Sequence, residues 1–218
     1  SNRWVIDNAF DDQPLRFRIQ ALLSCEPYDS AKSLVLEDFS DVTRYAPRDP
    51  SAAVLMEKTE DGVRLSNTTA TNGQGSPWVQ VERRFEPPIV LNNRAALGCW
   101  VKGDGKGEIL NVQLKSPEHT VYRGIGDRYI RIDFDGWRYF ELVEIDSDAI
   151  RDFDWPYVNS TYELFHMGLD FNQIAQMGLW FNRIPKAEPF SCEIRPIRAL
   201  PVVSGSFRNP RLTLNGNL

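Results

Sequence analysis

Leu97-Gly-Cys-Trp-Val-Lys-Gly-Asp-Gly-Lys-Gly-Glu-Ile-Leu-Asn-Val-Gln-Leu-Lys115 reads as two strands joined by a glycine-rich turn. Cys99 and Val101 alternate with larger or polar neighbours, and Gly103, Gly105 and Gly107 admit the positive φ that a tight turn needs. Leu110, Val112 and Leu114 then alternate with Asn111, Gln113 and Lys115. Successive strand residues point to opposite faces, so one face of this hairpin is apolar and the other carries hydrogen-bonding groups. An antiparallel sheet with an amide-bearing outer face is suited to holding sugars.

Working outward, the same texture recurs. Short strands are predicted over 34–36, 54–57, 62–66, 78–85, 94–102, 108–115, 128–134, 137–145, 174–182 and 190–197. Helical signals are weak: 146–152 and the start at Asn172 hold at most one turn each. Many strands without intervening helices imply an all-β protein, an antiparallel β-sandwich or barrel. The 218 residues suit one large domain of this kind. Residues 1–33 are read as an N-terminal extension or extra strand, 34–203 as the sandwich, and 204–218 as a last strand or the start of a linker to a further domain. The longest loop, 147–162, contains Asp152-Phe-Asp-Trp-Pro-Tyr157.

With 25 basic and 30 acidic residues the net charge is −5, which argues against nucleic acid and anionic membrane as partners. No apolar run approaches the roughly 20 residues of a membrane-spanning helix. Of the three cysteines, Cys25, Cys99 and Cys192, none forms a C-x-x-C pair. Cys99 and Cys192 fall in predicted strands, where a buried thiol behaves as a small hydrophobe; one disulfide is the alternative. His119 and His166 belong to no H-E-x-x-H motif, and no G-x-S-x-G elbow, phosphate loop or dinucleotide fingerprint is present.

If Ala175, Met177, Leu179 and Phe181 face the core, alternation sends Gln176, Gly178, Trp180 and Asn182 to the exposed side. The same logic exposes Asn111, Gln113 and Lys115, then Tyr129, Arg131 and Asp133, then Gln80, Glu82 and Arg84. Strands sharing a sheet would gather these around one tryptophan. An indole stacks on the C–H face of a pyranose while amides and guanidinium groups bridge its hydroxyls. The competing reading has Trp180 packed under a loop or a partner domain. Trp155, Tyr157 and Tyr162, with Asp152 and Asp154 in their loop, make a second candidate site, or else a loop plugged by its own aromatics. For an enzyme, Glu141, Glu144, Asp146 and Asp148 are the densest carboxylates, but alternation does not set two of them across a glycosidic bond. A glycan-active enzyme using Asp133 or Glu141 is the most distant reading.

Leu36-Glu-Asp-Phe39, Trp100-Val-Lys-Gly-Asp-Gly105, Asp133-Phe-Asp-Gly-Trp-Arg138 and Gly178-Leu-Trp-Phe-Asn-Arg-Ile-Pro185, in this order, resemble the galactose-binding-domain-like β-sandwiches of bacterial carbohydrate-binding modules. The resemblance covers roughly residues 34 to 200. It implies a jelly roll that binds a polysaccharide or oligosaccharide without cutting it. It also implies a secreted, periplasmic or cell-surface bacterial protein with an adjacent catalytic domain in the same chain. Trp100 and Trp137 would then be core or strand-edge anchors. No cofactor is implied beyond a structural calcium, for which Asp38, Asp41 and Glu193 are the candidate ligands. Calcium takes six to eight oxygens, and Cys192-Glu-Ile-Arg-Pro-Ile197 supplies one acid, then Arg195, where relatives often carry paired aspartates. That departure keeps a second reading open: a structural domain supporting a catalytic neighbour, with no ligand of its own.

Overall fold

β-Branched and aromatic residues at alternate positions, cut by glycine and proline, leave the chain little choice but short paired strands. The computed structural model describes residues 17–21, 32–48, 54–67, 78–120, 123–142, 168–184, 189–201 and 210–214. Among them the strands are β1 (Phe17–Ala21), β2 (Leu34–Glu37), β3 (Tyr45–Ala46), β4 (Leu55–Lys58), β5 (Val63–Ser66), β6 (Trp78–Ile89), β7 (Ala96–Asp104) and β8 (Ile109–Thr120). They continue with β9 (Arg123–Gly126), β10 (Tyr129–Arg131), β11 (Asp135–Leu142), β12 (Ile174–Asn182), β13 (Ser191–Ile194), β14 (Ile197–Leu200) and β15 (Pro210–Leu214). A 3-10 turn, Val42–Arg44, precedes β3.

Two antiparallel sheets face each other. The six-stranded sheet runs β10-β8-β12-β6-β3, with β9 sharing one side of β8 with β10. The seven-stranded sheet runs β2-β14-β7-β13-β5-β4, with β11 on the other side of β7. One hydrophobic cluster lies between them. The six-stranded sheet contributes Val79, Val81, Leu110, Val112, Leu114, Met177, Leu179 and Phe181; the other contributes Leu65, Cys99, Val101, Ile194 and Ala199. Phe181 stacks on Phe190, with ring centroids 4.5 Å apart. At one edge the sheets are clasped: Glu37 of β2 accepts from the Tyr45 hydroxyl at 2.8 Å and pairs with Arg83 of β6. The paired guanidinium is what lets a carboxylate be buried there. β1 and β15 pair with each other in a separate two-stranded sheet.

The all-β sandwich expected from the sequence is thus the fold, with local corrections. In the β7–β8 turn Gly105 and Gly107 do adopt positive φ, 74° and 88°. Gly103 instead lies within β7, where a Cβ would strike the Phe134 carbonyl oxygen. A bulge between Ile174 and Gln176 puts Ile174, not Ala175, into the core. Residues 190–197 form two strands, β13 and β14, which share one side of β7. The strand expected from 137 starts earlier, at Asp135, with Gly136 inside β11 at φ 79°. Cys99 and Cys192 are free and buried, and desolvation pushes the Cys99 thiol up to about 12.

Candidate functional site

Pairing register builds the outer face of the six-stranded sheet row by row. Gln80, Trp180, Asn111 and Tyr129 are neighbours across four strands; Glu82, Gly178 and Gln113 form the next row, and Arg84, Gln176 and Lys115 the one after. On the other side of Trp180 lie Trp78, Asn182, Ile109 and Arg131. Five of the eight residues expected to bind sugar, Trp180, Asn182, Gln176, Asn111 and Gln113, therefore share this face. Arg131 lies at its rim, exposed, 3.9 Å from Asp133. Trp155 and Tyr157 fall outside the described residues, as does Tyr162.

The face is not the open polar surface that alternation alone predicts. Asn111, Gln113, Gln176, Asn182 and Lys115 are all buried. Carboxylates gather four of them, Asn111, Gln113, Lys115 and Gln176. Asp127 accepts from Asn111 Nδ2 at 2.8 Å, Gln113 Nε2 at 2.7 Å and the Tyr129 hydroxyl at 3.0 Å. Asn111 Oδ1 in turn accepts from the Arg128 backbone N–H at 3.0 Å. Glu82 accepts from Lys115 Nζ and from Gln176 Nε2. Burial drives the Lys115 ammonium towards its neutral form, and the Glu82 hydrogen bond opposes that shift.

Trp180 remains half-buried, as does Trp78; their rings meet at a centroid distance of 5.3 Å and a tilt of 43°. Gly178 makes room for this indole, since a Cβ there would stand 2.6 Å from Trp180 Nε1. Lys115 Nζ approaches the same ring at 5.6 Å. Three buried polar atoms in this row have no hydrogen-bond partner: Gln80 Nε2, Gln80 Oε1 and Trp180 Nε1. Alternation places Gln80 and Glu82 on the face without marking either as a binding residue, the sequence leaves Trp78 undecided, and it does not mark Asp127. A tryptophan opening a strand was the available signal for Trp78; Asp127, between strands, had none.

The opposite outer face differs. Trp100 and Trp137, expected as core or edge anchors, are half-buried there rather than in the core cluster. Trp100 meets Tyr139 at 5.6 Å, and Trp137 carries the Arg195 guanidinium at 4.5 Å. Glu57, Arg64, Glu193 and Lys102 form a cross-strand row in which Glu193 lies 3.2 Å from Arg64 and 3.1 Å from Lys102. Asp133 follows β10 of one sheet while Glu141 lies on β11 of the other, and Glu144, Asp146 and Asp148 fall outside the described residues.

The expected calcium ligands do not converge. Asp38 accepts from the Ser40 N–H at 2.9 Å. Asp41 caps the 3-10 turn through Thr43 N and Oγ1 and pairs with Arg44. Burial raises the Glu193 carboxyl, but hydrogen bonds from Lys102 and Arg64 outweigh it and hold the group below its ordinary range. Among the described residues no three His, Cys, Asp or Glu side chains are placed to hold a metal ion. A cleft of about 490 Å³ beside Asp38 is lined by the acids Asp38, Glu60 and Asp61 and by the cations Lys58 and Arg195, and neither Asp41 nor Glu193 reaches it.

The turn that opens β8 holds one further anomaly. Glu108 is 0% exposed, and desolvation together with the nearby Asp104 carboxylate pushes its pKa up to about 8.

No family model matches the chain, and no curated protein matches it in sequence. Among solved structures it is similar to the agarase AgWH50C, with a TM-score of 0.51 and 11% identity over 79% of this chain and 25% of that one. It is also similar to the family 11 carbohydrate-binding module of the cellulosomal cellulase Lic26A-Cel5E of Clostridium thermocellum (TM-score 0.48, 15% identity, 77% of this chain and 94% of that one). A third is the Caldicellulosiruptor saccharolyticus CBM27-1 in complex with mannohexaose (TM-score 0.44, 11% identity, 80% and 100%). At such identities the likeness concerns the fold, and the chain spans about a quarter of the length of the agarase.

Proposed function

We propose that this domain binds a glycan without cleaving it, as one unit of a larger, exported glycan-degrading protein. The observation that carries the reading is the Trp78–Trp180 pair set among amides on three adjacent strands. Indoles supply a stacking surface at low conformational cost, and planar amides supply paired donors and acceptors for hydroxyls. The likeness to one quarter of an agarase agrees with a unit inside a longer enzyme. Binding of this kind would break no bond.

The test is affinity electrophoresis across a panel of soluble polysaccharides, followed by calorimetry on any hit. Trp180→Ala should weaken binding by about a hundredfold, the scale of a buried aromatic anchor. Unchanged binding in that variant would overturn the site assignment.

A supporting role beside a catalytic domain is the second reading. Leu34 and Val35 on β2 and Leu55 on β4 are exposed apolar side chains on the two strands that end the seven-stranded order. Failure of the whole panel, together with tight association between this domain and a neighbouring one, would favour it.

A further inference from the structure

The rows on the six-stranded face are unequally satisfied. Around Asp127 and around Glu82 each amide or ammonium named above has a carboxylate partner at hydrogen-bonding distance. Two residues from Glu82 on β6 lies Gln80, 0% exposed, with neither its nitrogen nor its oxygen bonded. Directly across the ladder the Trp180 indole N–H also lacks an acceptor. Buried amides in folded proteins are almost always paired, and leaving one unpaired costs stability. Two donors and an acceptor unpaired side by side, in a face that otherwise pairs its groups, call for a partner from outside the chain.

Resting on the glycan-binding reading, we infer that Gln80 and the Trp180 N–H form the polar floor of the site, and that its ligand is a neutral saccharide chain presenting two vicinal hydroxyls. A carboxamide offers one donor and one acceptor in a plane, which a vicinal diol meets with one hydroxyl accepting and the other donating. The indole N–H then serves a third oxygen. Charge fixes the neutral class. The floor groups are uncharged, the Lys115 ammonium beside the Trp180 ring is already paired with Glu82, and Arg84 and Arg131 lie out in solvent in other rows, so a sulfate or uronate seated on Gln80 would be buried with no cation in its own row. A 1,4-linked hexopyranose leaves its 2- and 3-hydroxyls free and adjacent; a 1,3-linked one does not. Gln80 is fully buried, opposite Trp180 and two residues from Trp78 on the same face, so seating such a diol requires side chains of this face to move and should alter the surroundings of the two indoles.

The test uses the full chain and four probes: neutral 1,4-linked cellohexaose and mannohexaose, 1,3-linked laminarihexaose, and charged 1,4-linked oligogalacturonide. Calorimetry, tryptophan fluorescence and thermal melting are run on the wild type, Gln80→Leu and Trp180→Ala. The expected result is binding of a neutral 1,4-linked probe with a fluorescence change, weakened roughly tenfold or more in Gln80→Leu. That variant should melt no lower than the wild type, because it removes unpaired polar atoms; a purely structural Gln80 would instead move stability and leave affinity alone. Wild-type affinity in Gln80→Leu, with binding lost in Trp180→Ala, overturns this inference and leaves the glycan-binding reading standing. Tighter binding of laminarihexaose or oligogalacturonide overturns the ligand class. Binding of none of these, nor of any polysaccharide in the wider panel, overturns both.

Discussion

The two outer faces of this sandwich handle polarity in opposite ways. On the seven-stranded sheet, Glu57, Arg64, Glu193 and Lys102 neutralise one another along a single row, largely in water. On the six-stranded sheet the polar groups are buried, one ion pair among them, and Gln80 and Trp180 keep hydrogen-bonding atoms without partners. An exposed pair contributes about 0–1 kcal/mol, whereas a buried unpaired polar group costs about 1–3 kcal/mol. A fold tolerates the first almost anywhere. It keeps the second where something other than stability is gained, which is why the buried face and not the charged one is assigned to a ligand.

Breaking equivalent ion pairs on the two faces makes the contrast quantitative. Lys115→Ala should destabilise the protein by about 3–5 kcal/mol in urea unfolding, since it strands the Glu82 carboxylate in a site with little water. A loss below about 1 kcal/mol would mean that the face is wetter than its burial indicates. Between the faces, Glu108 makes stability depend on pH. Its pKa is raised in the folded state, so above the ordinary value of 4.5 the unfolded chain releases a proton that the native protein still holds. Stability should therefore fall as pH climbs from about 4.5 towards about 8, at up to roughly 1.4 kcal/mol per unit, and level off beyond. Glu108→Gln should flatten that slope in melts at pH 5, 6.5 and 8; an unchanged slope would place its origin elsewhere. The smallest effect belongs to the charged face. Glu193→Gln should cost about 1 kcal/mol or less, and 1 M salt should shrink the difference from wild type.

Period-two alternation made much of this legible. The inward sets on β6, β8 and β12, and the outward sets that became the candidate face, could be read strand by strand. What alternation could not reveal was which positions become neighbours. Trp78 reaches Trp180 only through the β6–β12 register, and Asp127 gathers two amides and a phenol from a position with no periodic signal. Exposure was misjudged for the same reason, because a polar side chain turned away from the core can still be buried by neighbours of its own kind. Of the two roles the resemblance implies for Trp100 and Trp137, core or strand-edge anchor, the core one does not hold, because their strands turn them to the outer side. For calcium, acids were counted without the cations and backbone donors that the fold brings to them.

The order in which the platform's strands occur along the chain has its own consequence. β12, the strand in the middle carrying Trp180, is the last of the three to leave the ribosome; its flanking strands, β6 and β8, precede it by many residues. Until residue 182 has emerged, β6 and β8 have no common neighbour and present two unsatisfied edges. Closure is then a single late event joining distant parts of the chain, the kind of step that is slow and exposes nascent protein to mispairing. Recognition of a ligand at Trp180 would thus certify that synthesis has passed that point and that the sheet has sealed.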